Sequence, residues 1–182
     1  EDHGSETFHY ADVFWFGAGQ NRDPRKWQWR TSEQAKIEAQ GIISEKKNVI
    51  VIQPFTSESK KEWGQAQWCR MINLLTTAQT QSEFVILAAP DERERAELLL
   101  HALQAQAVNV QLAVCSLMTA VEILNRGTIM ITGDTSIKHL AAALPIKVIE
   151  LSLGSSDWRR TGVYKSGAYI VQPKIECAPC PH

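Results

Sequence analysis

Six short apolar runs recur along this chain with amphipathic stretches between them, and that alternation leaves few folds open. Val49-Ile50-Val51-Ile52 is β-branched throughout, the mark of a strand buried on both faces, as in parallel sheets. Trp68, Ile72 and Leu75 follow at helical spacing. Phe84 to Leu87 reads as the second strand, closed by Pro90, after which Asp91 is expected to cap a helix whose Ala96, Leu99, Leu100 and Leu103 share one face. Val110 to Val114 is the third. Ser116 is the expected cap of the next helix, lined by Leu117, Val121 and Leu124 and stopped at Gly127. Thr128 to Thr132 and Val148 to Leu151 are two further strands, separated by an Ala-rich helix from Thr135 to Leu144, and Tyr169-Ile170-Val171 is the last. Such a series specifies an α/β domain with a Rossmann-like, mostly parallel sheet and helices on both faces.

Ahead of the first strand the pattern is different. Residues 1 to 30 read as an irregular linker with aromatic packing anchors (Phe8, Tyr10, Phe14, Trp15, Phe16, Trp27, Trp29), punctuated by Gly17, Gly19, Asn21, Asp23 and Pro24. Thr31 with Gln34 has the form of a capping box, opening a helix through Ala35, Ile37 and Ala39 toward Gly41. The expected organisation is therefore a linker and first helix over 1–44 and one domain over 45–182. At 182 residues, roughly 70% of the unfolded chain's surface can be buried, enough for a full core.

Nineteen Lys and Arg against twenty Asp and Glu give no global field to attract nucleic acid or an acidic membrane, so any anion must be held by a local site. The longest apolar runs fall short of the ~20 residues that span a bilayer, and no signal peptide is evident. Two of the four cysteines, Cys69 and Cys115, are lone residues in apolar segments rather than parts of a disulfide framework. The chain reads as cytoplasmic.

In an α/β sheet, ligands bind beyond the carboxyl ends of the strands, and three polar clusters fall there. Gly133-Asp134-Thr135-Ser136-Ile137-Lys138-His139-Leu140 lies between a strand and a helix, where unpaired N–H groups and the dipole, with the hydroxyls, Lys138 and His139 gathered there, make a ready phosphate site. The competing reading is that Asp134 or Thr135 only caps the helix and His139 packs on the sheet. Pro54 to Trp63 offers Thr56, Ser57, Lys60 and Lys61 after the first strand; hydroxyls and ammonium groups suit a diphosphate, unless both lysines are merely solvated. Asp91 and Glu92 follow the second strand, where a carboxylate can bind ribose hydroxyls or cap a helix. Gly17-Ala18-Gly19 is an incomplete dinucleotide fingerprint, which disfavours a nicotinamide-dependent oxidoreductase. Cys177-Ala178-Pro179-Cys180 with His182 has metal-ligand spacing but no partner pair within the chain, so no metal or other cofactor is expected.

Asp134-Thr135-Ser136-Ile137-Lys138-His139-Leu140-Ala141-Ala142-Ala143 resembles the Asp-Thr-Gly-x-x-His-Leu-Ala-Ala-Ala stretch of glycosyltransferase family nine, the heptosyltransferases of the lipopolysaccharide inner core. Pro54, Thr56, Ser57, Lys61 and Trp63, the segment Gly154 to Tyr164, and the Cys-Ala-Pro-Cys tail are similar to three further motifs of that family, in the same order. The resemblance implies the C-terminal half of a two-domain GT-B enzyme that inverts the anomeric centre. It also implies that Asp134, Thr135, Ser136 and His139 surround the sugar and diphosphate of a donor such as ADP-heptose. Thr56, Ser57 and Lys61 would reach the phosphates, and Glu92 the ribose. The acceptor, a lipopolysaccharide-type, lipid-linked or protein hydroxyl, and the general base would belong to an N-terminal half that this chain does not match, so the chain alone is expected to be inactive. Work at the inner face of the cytoplasmic membrane would follow from the full-length enzyme. Ser136 stands where the family has Gly, Lys138 where it often has Met or Ser, and Ser155, Ser156 and Trp158 replace Pro, Thr and Pro. A non-catalytic nucleotide-sugar-binding module derived from the family is the alternative.

Overall fold

The structure is a computed structural model that describes residues 9–19, 29–43, 48–176 and 178–179. Six strands form one sheet: β1 (Asn48–Gln53), β2 (Ser82–Ala88), β3 (Gln111–Val114), β4 (Ile129–Thr132), β5 (Lys147–Leu151) and β6 (Tyr169–Val171). Their order is β3-β2-β1-β4-β5-β6, and every pairing is parallel. At the centre, Val51 of β1 is flanked by Val85 of β2 and Met130 of β4. The chain builds outward from β1 to β3 and then returns to lay β4 on the other side of β1, so the direction of winding reverses between these two strands.

The helices are α1 (Tyr10–Gly17), α2 (Glu33–Ile42), α3 (Gln65–Ala78), α4 (Arg93–Gln104), α5 (Leu117–Arg126), α6 (Ser136–Ala142) and the single turn α7 (Trp158–Thr161). Side chains alternate across a strand, so the β-branched run of β1 serves two cores. Val49 and Val51 pack with Ile123, Leu124, Met130 and Val148 under the face covered by α2, α5 and α6. Ile50 and Ile52 pack with Trp68, Ile72, Ile86, Leu99 and Leu103 under α3 and α4. Each such side chain, once buried, contributes about 1.5–3 kcal/mol. Among the described residues no helix is long and apolar enough to cross a membrane.

Several local expectations shift. The cap of α2 is Ser32, whose Oγ accepts the Ala35 N–H at 3.1 Å, not a Thr31–Gln34 box. Thr31 donates to the Glu122 carboxylate on α5, and Gln34 bonds Glu38 one turn on; a tertiary partner and a helical neighbour outcompete the local box. Asp91 does not cap α4 either. A 3₁₀ turn, Pro90–Glu92, precedes that helix, and the Glu92 carboxylate closes it by accepting the Ala89 N–H at 2.8 Å. Ser116 does cap α5, accepting the Thr119 N–H at 3.3 Å, and Gly127 ends it.

The largest departure is α1, a helix where an irregular linker is expected. His9 starts it by accepting the Ala11 N–H on Nδ1 at 3.0 Å. The same ring stacks on Tyr164 at 4.6 Å and bonds the Gly162 carbonyl through Nε2 at 2.9 Å. None of its residues is buried, so no apolar stripe announces it in the sequence. The single turn α7 is also unannounced; Asp157 caps it by accepting the Arg159 N–H at 3.1 Å.

Helix α3 offers a direct check of the layer assignment. Ile72 is fully buried while Leu74 is 64% exposed on the same helix. Ile72→Ala is expected to cost about 2–5 kcal/mol and Leu74→Ala no more than about 0.5 kcal/mol, measured by urea unfolding. Equal losses would mean that α3 presents a different face to the sheet.

Candidate nucleotide-sugar site

The site is built where β1 and β4 end side by side. Gln53, the last residue of β1, is buried, accepts the Thr132 hydroxyl on Oε1 at 2.9 Å, and donates through Nε2 to the Phe55 carbonyl at 2.7 Å. These two bonds tie the strand ends together and set the direction in which both loops leave the sheet. The β1 loop then folds on itself. The Thr56 hydroxyl donates to the Glu58 carbonyl at 2.7 Å and accepts the Glu58 N–H at 3.2 Å, while the Thr56 N–H reaches the Glu62 carboxylate at 2.8 Å. Glu62 is in turn held by Arg95, whose guanidinium lies 4.8 Å over the Phe55 ring. A 3₁₀ turn, Ser59–Lys61, brings Lys61 back toward β4. Gly133 permits that approach, since a Cβ there would stand 3.3 Å from the Lys61 carbonyl oxygen.

Asp134 follows Gly133 directly. Its carboxylate does not cap α6: Oδ1 accepts from Lys138 Nζ at 2.5 Å, Oδ2 accepts from Ser156 Oγ at 2.9 Å, and Lys61 Nζ lies 3.4 Å from Oδ2. Thr135 occupies the N-cap position with no side-chain cap bond. Burial pushes the Asp134 pKa up, but the hydrogen bond and charge of Lys138, with Ser156 and Lys61, outweigh it and hold the carboxyl below its usual value. Lys61 is raised, first by its hydrogen bond to Glu58, whose Oε1 is 2.9 Å from Nζ. His139 is pulled down to about 4, by desolvation first and then by the neighbouring Lys138 and His9, so it is a neutral imidazole at pH 7. Glu92 is raised by burial against the opposing Ala89 N–H.

The eight residues singled out in the sequence, Thr56, Ser57, Lys61, Glu92, Asp134, Thr135, Ser136 and His139, all line one cleft of about 580 Å³. They come from the connections that follow β1, β2 and β4, with Ser136 and His139 on the first turns of α6. Ser57, Ser136 and His139 are exposed in it; the Thr56 hydroxyl is taken up by its own turn. A second hollow of about 430 Å³ shares Lys61, Asp134 and His139 with the cleft and continues beneath α1, against Phe14, Trp15 and Tyr164. One end of the site is thus polar and the other largely apolar.

Lys138, expected from the sequence among the groups that gather at the phosphate site, is instead buried behind the cleft, fully enclosed, and Glu150 was not singled out at all. Lys138 and Glu150 are buried and paired at 2.6 Å, and Glu150 also accepts the Val163 N–H at 2.6 Å. For Glu150 a signal was present, a carboxylate within the otherwise apolar Val148-Ile149-Glu150-Leu151. Cys177, Cys180 and His182 lie outside the described residues. Among the described residues no group of three or more His, Cys, Asp or Glu side chains could hold a metal ion.

Residues 9–182 match the family model described as Glycosyltransferase family 9 (heptosyltransferase). Solved structures with the same fold include the E. coli ADP-heptose lps heptosyltransferase II, with TM-score 0.66 and 20% identity over 79% of this chain and 44% of that one. E. coli heptosyltransferase WaaC, solved with ADP, gives TM-score 0.63 and 22% identity over 88% of this chain and 48% of that one. A family 9 glycosyltransferase from Veillonella parvula DSM 2008 gives TM-score 0.78 and 15% identity over 93% of this chain and 50% of that one. The chain therefore spans about half the length of the structures it matches. No curated protein sequence matches it. The site lies at the carboxyl ends of an all-parallel Rossmann-like sheet of the kind found in GT-B glycosyltransferases, and by its family match this chain belongs to glycosyltransferase family 9, the heptosyltransferases.

Proposed function

We propose that this chain is the donor-binding half of a heptosyltransferase and that its cleft holds a nucleoside diphosphate sugar, ADP-heptose in the first instance, for transfer to a lipopolysaccharide-type acceptor. The observation that carries this reading is the placement of Lys61 and Asp134, opposite charges 3.4 Å apart, at the point where the winding of a parallel sheet reverses. In open α/β sheets that crevice is where nucleotides bind. Glu92 takes the ribose, Lys61, Ser57 and the start of α6 take the diphosphate, and Asp134 with neutral His139 takes the sugar. Thr56 acts through its turn, which presents Ser57 and Lys61. WaaC, of the same fold, is solved with ADP, which supports the choice of nucleotide.

In the proposed reaction an acceptor hydroxyl oxygen attacks the anomeric carbon, the bond from that carbon to the diphosphate oxygen breaks, and ADP leaves. Negative charge grows on the departing diphosphate, where a preorganised ammonium at Lys61 stabilises the transition state more than the ground state. The proton of the acceptor hydroxyl goes to a base on the acceptor-binding half, beyond this chain. The exposed aromatic side chains of α1, Phe14 at 77% and Phe16 at 70%, support a further partner surface beside the sugar end of the cleft. On this reading the full-length enzyme works at the inner face of the cytoplasmic membrane.

Three outcomes follow. Lys61→Ala is expected to weaken ADP binding by about 1.5–3 kcal/mol, the range for a charge-assisted hydrogen bond, with little change in melting temperature; equal affinity in calorimetry removes Lys61 from the phosphate site. This chain by itself is expected to bind ADP-heptose and to transfer nothing, gaining activity only with an acceptor half. Transfer by the isolated chain refutes the half-enzyme assignment, and a pairing that assembles without transferring favours the non-catalytic module. His139 provides a pH test. With its folded pKa at about 4 and its ordinary value at 6.5, the unfolded chain binds more protons than the folded one between those values, so stability present above 6.5 is lost as pH falls through the window. His139→Gln is expected to flatten that part of the melting-temperature profile. Parallel profiles for parent and variant would return His139 to an ordinary titration.

A further inference from the structure

The proposed function leaves Lys138 without a task, yet Lys138 is the most enclosed charge at the site. Its side chain is 0% exposed, so no ligand can reach it. The ammonium lies 2.5 Å from Asp134 Oδ1 and 2.6 Å from Glu150 Oε1. Glu150, itself 1% exposed, fixes its other oxygen on the Val163 N–H at 2.6 Å. Five groups face Asp134 or its buried partner: Lys61 from the turn after β1, Lys138 and His139 from α6, Glu150 from β5, and Ser156 from the segment before α7.

Asp134 therefore has one cation inside the protein and one outside. The outer one, Lys61, is 23% exposed and already divided between Asp134 and Glu58. A diphosphate arriving at Lys61 would draw that ammonium toward its own oxygens and bring further negative charge beside Asp134. Both changes favour protonation of the carboxyl or its rotation away, and a protonated carboxyl is a poorer acceptor for sugar hydroxyls. The inner cation cannot be claimed in this way. Glu150, which shares the ammonium, is itself held in place by the Val163 N–H.

We propose that Lys138 is a positioning residue whose buried ammonium, backed by Glu150, keeps Asp134 ionised and directed into the cleft while Lys61 is engaged by the diphosphate of the donor. Lys138, rather than Lys61, then sets the charge on which recognition of the sugar hydroxyls depends. The purpose of the arrangement rests on the donor-binding reading; the assignment of the charge does not.

The test reads the Asp134 carboxyl by its ¹³C NMR shift against pH in three proteins: the parent, Lys61→Ala, and the double variant Lys138→Met with Glu150→Gln. The double variant removes the buried cation and its counter-charge together and fills their space with groups of similar size. Asp134 is expected to titrate below the ordinary carboxyl range in the parent and in Lys61→Ala, and at least about one pH unit higher in the double variant. Lys61 lies in a surface turn, so Lys61→Ala decides the matter even if the double variant does not fold. A return of Asp134 to the ordinary range on loss of Lys61 alone overturns the proposal. In the folded double variant, calorimetry is expected to show the affinity ratio of ADP-heptose to ADP falling about tenfold or more, with ADP affinity itself held within about twofold. A retained ratio, or both affinities falling together with stability, overturns it. A parent that binds neither ligand defeats the donor-binding reading instead, and the NMR comparison still decides which lysine holds the charge.

Discussion

The pairing of β1 with β4 is the constraint on which the rest of the molecule depends. Parallel strands cannot be joined by a tight turn, so each connection must cross a face of the sheet and its loop must leave from a carboxyl end. Two neighbouring strands whose connections depart to opposite faces leave a gap between their loops. Here that gap is framed by Pro54 to Lys61 on one side and Gly133 to Ser136 on the other. The Gln53–Thr132 hydrogen bond holds the strand ends in register beneath it, and the missing side chain at Gly133 lets the two loops approach. A binding cleft at this position is a consequence of topology before any residue type is chosen.

Residue chemistry then gives the cleft a direction. At the β2 end, Glu92 serves as the closing group of its own 3₁₀ turn, which fixes one carboxylate oxygen and leaves the other to face the cleft. In the middle, Lys61 bridges Glu58 and Asp134. Toward α1 the lining turns apolar, with Phe14, Trp15 and Tyr164 enclosing the side of the site farthest from Glu92.

Much of this was legible in the sequence, and the reasons differ by element. Strands buried on both faces have little choice of residue, so Val49 to Ile52 and Phe84 to Leu87 identified β1 and β2 directly. That the eight residues expected at the site share one cleft was legible because most of them fall in the connections just after such strands, where a loop is forced and polar side chains have no packing role. Helix α1 was not, because none of its residues is fully buried and it is tied down by His9 stacking on Tyr164 and by Tyr164 donating to Asp12, partners far apart in sequence. The caps at Thr31 and Asp91 were misplaced for a related reason. Capping boxes are local patterns, and at Thr31 a carboxylate on α5 competes for the same hydroxyl.

The buried pair of Lys138 and Glu150 was missed for the opposite reason: it breaks the pattern instead of following it. Enclosing an ammonium and a carboxylate costs several kcal/mol of desolvation per ion, and the attraction between them regains that only with good geometry and further hydrogen bonds. Both conditions are met, by Asp134 on one side and the Val163 N–H on the other. Yet an apolar pair of the same volume would in general serve stability as well or better. Stability alone therefore gives no reason for a lysine at this position. What an apolar residue could not do is present a positive charge to Asp134 from a side that water and ligand never reach. That is the task proposed for Lys138.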